Sequence, residues 1–569
     1  MSLDGRDQQI STAEKSVSLC VLPPPNELIL KWAASRPDDI YLKQIIDRKF
    51  VTYTFSQVAT MARKLVTALR KQGLQPGDKI ALISKNCAEW FITDLALMMG
   101  DFISVPIFPT AGAETIEFCL QHSESKAAFI GKLDDASAVE KALQSHPQLI
   151  TISLPYKSAA KCQLTFEEMI KNSIPTEDRP VHSDDKLMSI VYTSGTSGTP
   201  KGAMLTYGAF SWSAQRLVEH LNITKEDRAF SYLPLAHITE RVYILGSSIA
   251  GGVQVAFPES LDTFIDDVKM HRPTLFISVP RLWALFQQRI QDKMPQKKLN
   301  LLLKIPFISS LIKKKIIEGL GLNEARILGC GSAPVSPALL KWYHSIGINI
   351  TEAWGMTESF AYSTLNYPFK ADKIGTVGNS APGIELKIAS DEEIMVRSQG
   401  TFSGYYKNPS ATDESFDEQG WLHTGDIGSI DNDGYLTIQG RKKDTFKTAK
   451  GKFVAPVPIE KKLYEYSRIE MMCLVGLGMP APILLAVPHQ FPNFDKQRYQ
   501  KRLERVISTI NQELESHEKI KGVLMIKEPW SIENTILTPT LKIKRHVLEK
   551  KYHDIGVNWP KDKIVVWEE

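Results

Sequence analysis

From Phe55 to about Leu154, segments with apolar residues at helical spacing alternate with short apolar runs at Lys79–Ser84, Phe102–Phe108 and Ala127–Gly131. The alternation of such runs with helical segments predicts α/β layering. The alternation resumes after Lys186 and continues through Phe276 and Ile327. From Glu385 to about Ile438 the pattern becomes strand-rich, with glycine and Asn-Pro turns and a hairpin signal at Asp431-Asn432-Asp433-Gly434. After Arg441 a separate piece follows, with a helix predicted over about Tyr499–Ser516, a strand near Gly522–Lys527 and a basic C-terminal stretch. The expected fold is α/β. A large N-terminal domain of several subdomains spans 1–440 and ends in strands, and a small mobile α+β domain spans 441–569. No internal repeat interrupts this plan.

Composition narrows the partners. With 569 residues, 43% hydrophobic and 23% charged, the chain can bury a sizeable core in more than one domain. The net charge of +4, from 68 basic and 64 acidic residues, gives no global field for nucleic acid. Six cysteines (Cys20, Cys87, Cys119, Cys162, Cys330, Cys473) lack CxxC spacing, which speaks against a zinc site or a disulfide framework and for a reducing, cytoplasmic setting. Charged residues from Asp4 to Lys15 precede any apolar run, unlike a secretory signal, and the first dozen residues are expected to be mobile. Phe91–Phe108 contains Asp94 and Asp101, and Val242–Phe257 is short and glycine-rich, so neither is expected to span a membrane.

The densest chemical signal is Tyr192–Met204, YTSGTSGTPKGAM, which follows the strand-like run Leu187–Val191. Thr193, Ser194, Gly195, Thr196, Ser197 and Gly198 form a loop that can turn backbone N–H groups toward phosphate oxygens, with Lys201 as a mobile counter-charge. GxxxxGK spacing is absent, so this is not a Walker loop. A linker of this composition would not abut a buried strand.

This segment resembles the phosphate loop of the adenylate-forming superfamily: acyl-CoA synthetases, luciferases and peptide synthetase adenylation domains. Five further segments match in the same order. Leu233–Arg241, LPLAHITER, is similar to the long-chain fatty acyl-CoA synthetase form of the next motif. Gly329–Ser336 and Ile350–Ser359 (ITEAWGMTES) resemble the adenine and metal segment. Gly420–Gly428 (GWLHTGDIG) precedes Gly440–Lys443 (GRKK), and Leu537–Arg545 (LTPTLKIKR) comes last.

The resemblance implies ATP, Mg2+ and coenzyme A as co-substrates or cofactors of fatty acid activation. It gives Glu358, with Thr193, to the metal and Thr357 to the α-phosphate. Trp354 stands where relatives have a tyrosine stacked on adenine. Indole stacks as well, but the phenol's hydrogen bond is expected to be lost. Gly331, Ser332, Ala333 and Pro334 match the turn that approaches adenine and acyl chain, continued by Gly355, Met356 and Ile438. Asp426 would hold the ribose hydroxyls, assisted by Arg441, and His237 would guide the carboxylate. Lys443 would be the hinge, Lys542 the lysine of the first half-reaction, and Gly451 a contact for the pantetheine arm in the second. Two positions depart from the pattern: Leu541 precedes Lys542 where glycine is common, and Lys450-Gly451 replaces a Gly-Gly pair.

Lys293–Ile317 matches no motif. It carries seven lysines and no acid among many leucines and isoleucines, broken at Pro306. Two readings stand: short basic amphipathic helices on an anionic bilayer, making the protein peripheral to a membrane, or a core-packed helix pair with a solvated lysine face. For the whole chain the leading expectation is a fatty acid:CoA ligase, most like long-chain members. One rival is a fatty acyl-AMP ligase serving an acyl carrier protein. Another is a non-catalytic lipid-binding pseudoenzyme, which would not need Lys201, Glu358, Asp426, Arg441 and Lys542 together. Luciferase-like oxygenation on the same fold has no support in the residues.

Overall fold

The computed structural model describes residues 23–157, 160–193, 199–466, 469–488, 495–532, 534–538, 542–560 and 562–568. The N-terminal residues expected to be mobile, Cys20, and the loop residues Ser194, Gly195, Thr196, Ser197 and Gly198 lie outside them.

Among the described residues two large sheets carry the N-terminal part. The apolar runs read from sequence become Lys79–Ile83, Ile103–Ile107 and Ala127–Ile130, which pair in parallel inside a seven-stranded sheet. That sheet ends in the antiparallel pair Leu187–Thr193 and Lys201–Thr206. A nine-stranded sheet holds Arg228–Phe230, Gln254–Phe257, Leu275–Ser278, Ile327–Cys330 and Thr351–Trp354 as parallel neighbours. The helices Phe55–Lys71, Ala88–Met99 and Tyr207–His220 contribute to one apolar core with strands of both sheets. All twelve residues of Ala88–Met99 are buried, so this helix has no solvent face, and its apolar run reflects burial inside protein. Val242–Phe257 likewise divides into a π-helical turn Arg241–Gly246, a helix Ser247–Gly251 and a strand Gln254–Phe257. No helix among the described residues is long and apolar enough to cross a membrane.

The strand-rich end is a four-stranded antiparallel sheet, Glu385–Ile388, Glu393–Arg397, Leu422–Ile430 and Leu436–Arg441, with the expected turn at Asp431–Gly434. Beyond it a smaller α+β part packs the helices Pro456–Tyr466 and Lys496–Glu513 on one face of a mixed four-stranded sheet. The predicted helix Tyr499–Ser516 starts and stops earlier, at Lys496 and Glu513. Asp495 caps it by accepting from the Arg498 N–H at 3.0 Å, a start signal that apolar spacing does not register.

The unassigned lysine-rich segment forms the helices Gln296–Leu302 and Pro306–Leu320, Pro306 opening the second at a position where its missing N–H costs nothing. Leu299 and Ile312 are buried, with Leu302, Leu303, Ile316 and Ile317 packed beside them. The inner face is therefore core, as one of the two readings holds. The outer face is apolar as well, with Leu301, Ile305, Phe307, Ile308 and Leu311 exposed.

Candidate active site

A cleft of about 3010 Å3 opens at the carboxyl ends of the parallel strands and is closed on its far side by the C-terminal part. Drug-sized sites occupy roughly 300–1,000 Å3, so this space accommodates more than one substrate. Thr193, Lys201, His237, Gly331, Ser332, Ala333, Pro334, Trp354, Gly355, Met356, Thr357, Glu358, Asp426, Ile438, Arg441, Lys443 and Lys542 all line it. Gly451 does not. It sits in the turn between the short strands Phe446–Lys447 and Phe453–Val454, where its φ of +76° suits glycine and an added Cβ would meet the Lys447 side chain at 3.8 Å.

The base of the phosphate-type loop is a strand pair in which Thr193 faces Lys201. Thr193 Oγ1 donates to the Lys201 carbonyl at 3.4 Å, and the Lys201 ammonium lies 4.9 Å from the centre of the Tyr405 ring. Tyr405 in turn donates its hydroxyl to Glu358 Oε1 at 2.5 Å. Burial and the Glu358 charge push the Tyr405 phenol up, so it stays a donor. This side chain joins the lysine to the carboxylate, and motif matching had passed over it.

The strand Thr351–Trp354 delivers Glu358 through a tight turn. A Cβ on Gly355 would stand 2.5 Å from the Ala361 carbonyl carbon, and the Met356 N–H donates to Ser359 Oγ at 3.2 Å, so Gly355 and Met356 shape the turn before Thr357 and Glu358. Across the cleft wall, a Cβ on Gly331 would come within 3.0 Å of the Ala353 carbonyl oxygen. Ser332, at φ +67°, holds its Oγ 3.1 Å from Thr239 Oγ1 and ties this turn to the segment carrying His237. Ala333 and Pro334 continue along the wall.

His237 has a defined tautomer. Its Nδ1 accepts from the Thr239 N–H at 3.2 Å, and a backbone N–H can only donate. Burial, reinforced by the Lys542 ammonium, pushes the imidazole down to about 3. The ring is therefore neutral at physiological pH, with its proton on Nε2, available to a carboxylate without adding charge.

Behind His237 lies a buried polar lattice. The Asn86 side chain accepts from the Leu235 N–H at 3.2 Å and donates to the Leu233 carbonyl at 2.7 Å, pinning the LPLAH stretch from a distant loop. Glu240 accepts from Ser231 at 2.7 Å, and burial pushes its carboxyl up to about 8, so it is uncharged at neutral pH. Arg241 pairs with Asp94 at 3.1 Å, both side chains fully buried.

The strand-rich sheet positions the next pair by register. Asp426 lies directly opposite Arg441 in the ladder, and Arg441 Nε donates to Asp426 Oδ1 at 3.0 Å. The other carboxylate oxygen accepts from the Trp354 indole N–H at 2.8 Å. In place of a phenol's hydrogen bond, the indole makes one of its own, directed at Asp426, because its N–H reaches across to the neighbouring sheet. Ile438, in the strand paired with that of Asp426, offers its carbonyl to Lys461 Nζ at 3.0 Å, a contact from the C-terminal part. Lys443 lies in the single turn Lys442–Asp444 that leaves this sheet.

Lys542 enters from the C-terminal part and is tied to Thr538. The Lys542 N–H donates to Thr538 Oγ1 at 3.0 Å, and Leu537 bridges Ile543. Loss of water around it in the cleft and the Arg441 charge push the amine down to about 8, against the opposing pull of Asp426 and Glu358, although the residue as a whole keeps an exposed surface. Cations and carboxylates thus converge from segments far apart in sequence. Among the described residues no three His, Cys, Asp or Glu side chains gather into a metal cage. Mg2+ carried with a polyphosphate needs only one or two protein carboxylates, and Glu358 fits that role.

Comparison with known proteins follows this geometry. Residues 29–406 match the AMP-binding enzyme family and residues 443–555 the AMP-binding enzyme C-terminal domain. The chain is 29% identical to a long-chain-fatty-acid--CoA ligase, FadD15, of Mycobacterium bovis, over 92% of this chain and 95% of the relative. It is 30% identical to long-chain-fatty-acid--CoA ligase 5 of Rattus norvegicus, over 88% and 83%. In fold it resembles the anthranilate CoA ligase AuaEII solved with anthranoyl-AMP, with a TM-score of 0.77 at 21% identity over 94% of this chain and 98% of that one. The A domain of a carboxylic acid reductase from Segniliparus rugosus gives 0.78 at 20% identity over 94% and 93%. The chain belongs to the AMP-binding enzyme family, the adenylate-forming superfamily whose motifs its sequence carries.

Proposed function

We propose that the protein is an ATP-dependent fatty acid:CoA ligase with a preference for long chains. The observation that carries this reading is the convergence of Lys201, Glu358, Asp426, Arg441 and Lys542 with neutral His237 on one cleft. In the first half-reaction a carboxylate oxygen of the acid bonds to the α-phosphorus of ATP as the bond to pyrophosphate breaks. Both reactants are anionic, so the barrier falls where fixed donors and cations wait for the developing charge. Lys542 and Lys201 supply the cations, Thr357 a hydroxyl to the α-phosphate, and His237 Nε2–H a neutral donor to the acid. Mg2+, held through Glu358 with help from Thr193, would neutralise phosphate charge. Asp426, oriented by Trp354 and Arg441, accepts from the ribose hydroxyls, and Gly331–Pro334 with Ile438 border the adenine.

In the second half-reaction the thiolate sulfur of coenzyme A bonds to the acyl carbonyl carbon and AMP leaves. In this reading the chain after about Arg441 is a lid that turns at Lys443, withdrawing Lys542 and bringing the Gly451 turn toward the pantetheine arm. The relatives named as long-chain-fatty-acid--CoA ligases support the choice of acid and acceptor. A cytoplasmic setting agrees with the free cysteines Cys87, Cys119, Cys162, Cys330 and Cys473, and contact with a bilayer suits a lipid substrate.

The test is acid-dependent exchange of labelled pyrophosphate into ATP without coenzyme A, over acids from acetate to oleate, followed by thioester formation when coenzyme A is added. Exchange without thioester would transfer the assignment to a carrier-protein acceptor. No exchange with any acid would defeat the ligase reading and favour the lipid-binding pseudoenzyme.

A further inference from the structure

We propose that the outer face from Leu301 to Leu311 is a docking surface for an anionic bilayer, which holds the far end of the active-site cleft at the lipid surface. The inference rests on the fatty acid reading for its purpose and on three observations for its substance.

The face is apolar and outward. Phe307 is 91% exposed, Leu301 64% and Leu311 55%, with Ile305 and Ile308 also open to solvent. These five side chains fall within eleven residues, at the turn between two helices whose opposite sides carry Leu299 and Ile312 into the core. The backbone is therefore anchored, and the exposed side chains do not owe their position to a fraying element. Large apolar side chains exposed together in this way mark an interaction site.

The rim is predominantly basic. Lys297, Lys298, Lys304, Lys314 and Lys315 are exposed around it, and Asp and Glu are absent from 293–317. Among the described residues, Lys314 is the one of these lysines that approaches an acid, Glu318, at 3.9 Å. An apolar centre within a lysine ring matches an anionic leaflet, where acyl chains take the aromatic wedge and phosphates take the ammonium groups. A second copy of the chain would bring the same lysines against each other, which disfavours self-association.

The cleft also reaches the start of the helix that leads to this face. Gln296, the first residue of the helix Gln296–Leu302, lines the cleft and accepts from the Trp342 indole at 2.8 Å and from Gln291 Nε2 at 2.9 Å. From there the lining runs back between the helices Pro280–Lys293 and Pro337–Ser345, past Leu282 and Leu339, toward His237. An acid dissolved in a leaflet would meet the distal end of this passage without crossing water.

The experiment is flotation of the full chain with phosphatidylcholine vesicles, with and without phosphatidylglycerol. Wild type should float with the anionic vesicles and be released by salt. Phe307→Ser/Leu311→Ser should lose about tenfold or more of that binding. Lys304→Gln/Lys313→Gln/Lys314→Gln/Lys315→Gln should bind more weakly with a flatter salt dependence. Both variants should melt as wild type and retain activation of a water-soluble medium-chain acid. Absence of wild-type binding, or equal binding by Phe307→Ser/Leu311→Ser, overturns the proposal. So does conversion of a dimer to a monomer in that variant with vesicle binding unchanged, which would assign the face to a second copy. A protein that binds vesicles through this face yet activates no acid would defeat the ligase reading and leave the surface standing.

Discussion

The two sides of the cleft are built on opposite principles. The N-terminal wall fixes its groups from behind: Asn86 pins the LPLAH stretch, uncharged Glu240 accepts from Ser231, and Arg241 is paired with Asp94 out of reach of water. The C-terminal side reaches the same space through sparse contacts, among them Lys542 in the cleft, Lys461 on the Ile438 carbonyl and Arg281 paired with Glu470 at 3.3 Å. The wall is preorganised and costly to disturb, while the other side has the kind of contacts that the proposed rotation would break. That division suits an enzyme that presents one nucleotide site to two reactions.

The largest effect should come from breaking the wall. Asp94→Ala leaves the Arg241 guanidinium buried without its partner, and uncompensated buried charge of this kind costs about 3–5 kcal/mol. Urea denaturation of the full chain should show the first unfolding transition moved to lower denaturant by that amount. A change within about 1 kcal/mol, typical of exposed pairs, would mean that the wall is no stiffer than the lid.

Next comes Lys542→Ala. Removing the cation where acid and α-phosphate approach should cut adenylation by about 10²-fold or more, read as pyrophosphate exchange. Supplied acyl-AMP and coenzyme A should still give thioester near the wild-type rate, because the proposed second state withdraws this lysine. Equal loss in both half-reactions, in folded protein, would remove the assignment of Lys542 to the first state.

The same lysine sets a pH signature. In the cleft its amine is pushed down to about 8, whereas in water a lysine titrates near ~10.4. Exchange should fall as pH rises through about 8, because the ammonium is lost. Lys542→Arg keeps its charge and should abolish the alkaline limb in exchange. An identical limb in that variant would place the titration elsewhere. His237, down at about 3, contributes no limb near neutrality.

A smaller effect tests the join between the two sheets. Trp354→Phe keeps a stacking ring but removes the indole donor to Asp426, a hydrogen bond to a charged group worth roughly 1.5–3 kcal/mol. Titration of AMP should show about tenfold weaker binding, with less preference for AMP over its 2′-deoxy analogue. Unchanged preference would make Trp354 a stacking residue alone.

What the sequence disclosed divides along the same physical line. Apolar runs such as Ala127–Ile130 were readable because burial on both faces leaves a local signature, and the phosphate-type loop because its residue types lie side by side. Partnerships across the chain leave no such trace. Asn86 meets Leu235 across 149 positions, and Trp354 meets Asp426 across 72. Tyr405 lies 47 positions from Glu358 in an unremarkable Gly-Tyr-Tyr stretch. Lys293–Ile317 was ambiguous because its helices are apolar on two sides, which a one-dimensional pattern reads as either core or lipid face.

The smallest predicted effect concerns how readily the C-terminal part leaves in the proposed rotation. Arg281 and Glu470 join the helix Pro280–Lys293 to the C-terminal sheet, and their side chains are 60% and 30% exposed. A pair this open to solvent contributes about 0–1 kcal/mol, which bounds the shift in any two-state balance at roughly fivefold. Arg281→Ala should therefore leave pyrophosphate exchange at saturating acid nearly unchanged while modestly raising thioester formation where lid rotation limits turnover. The gain should disappear at high salt, where the wild-type pair is already screened. A tenfold or larger change would show the pair to be part of a cooperative latch with Lys461. A drop in thioester formation would mean that it stabilises the second state instead of the first.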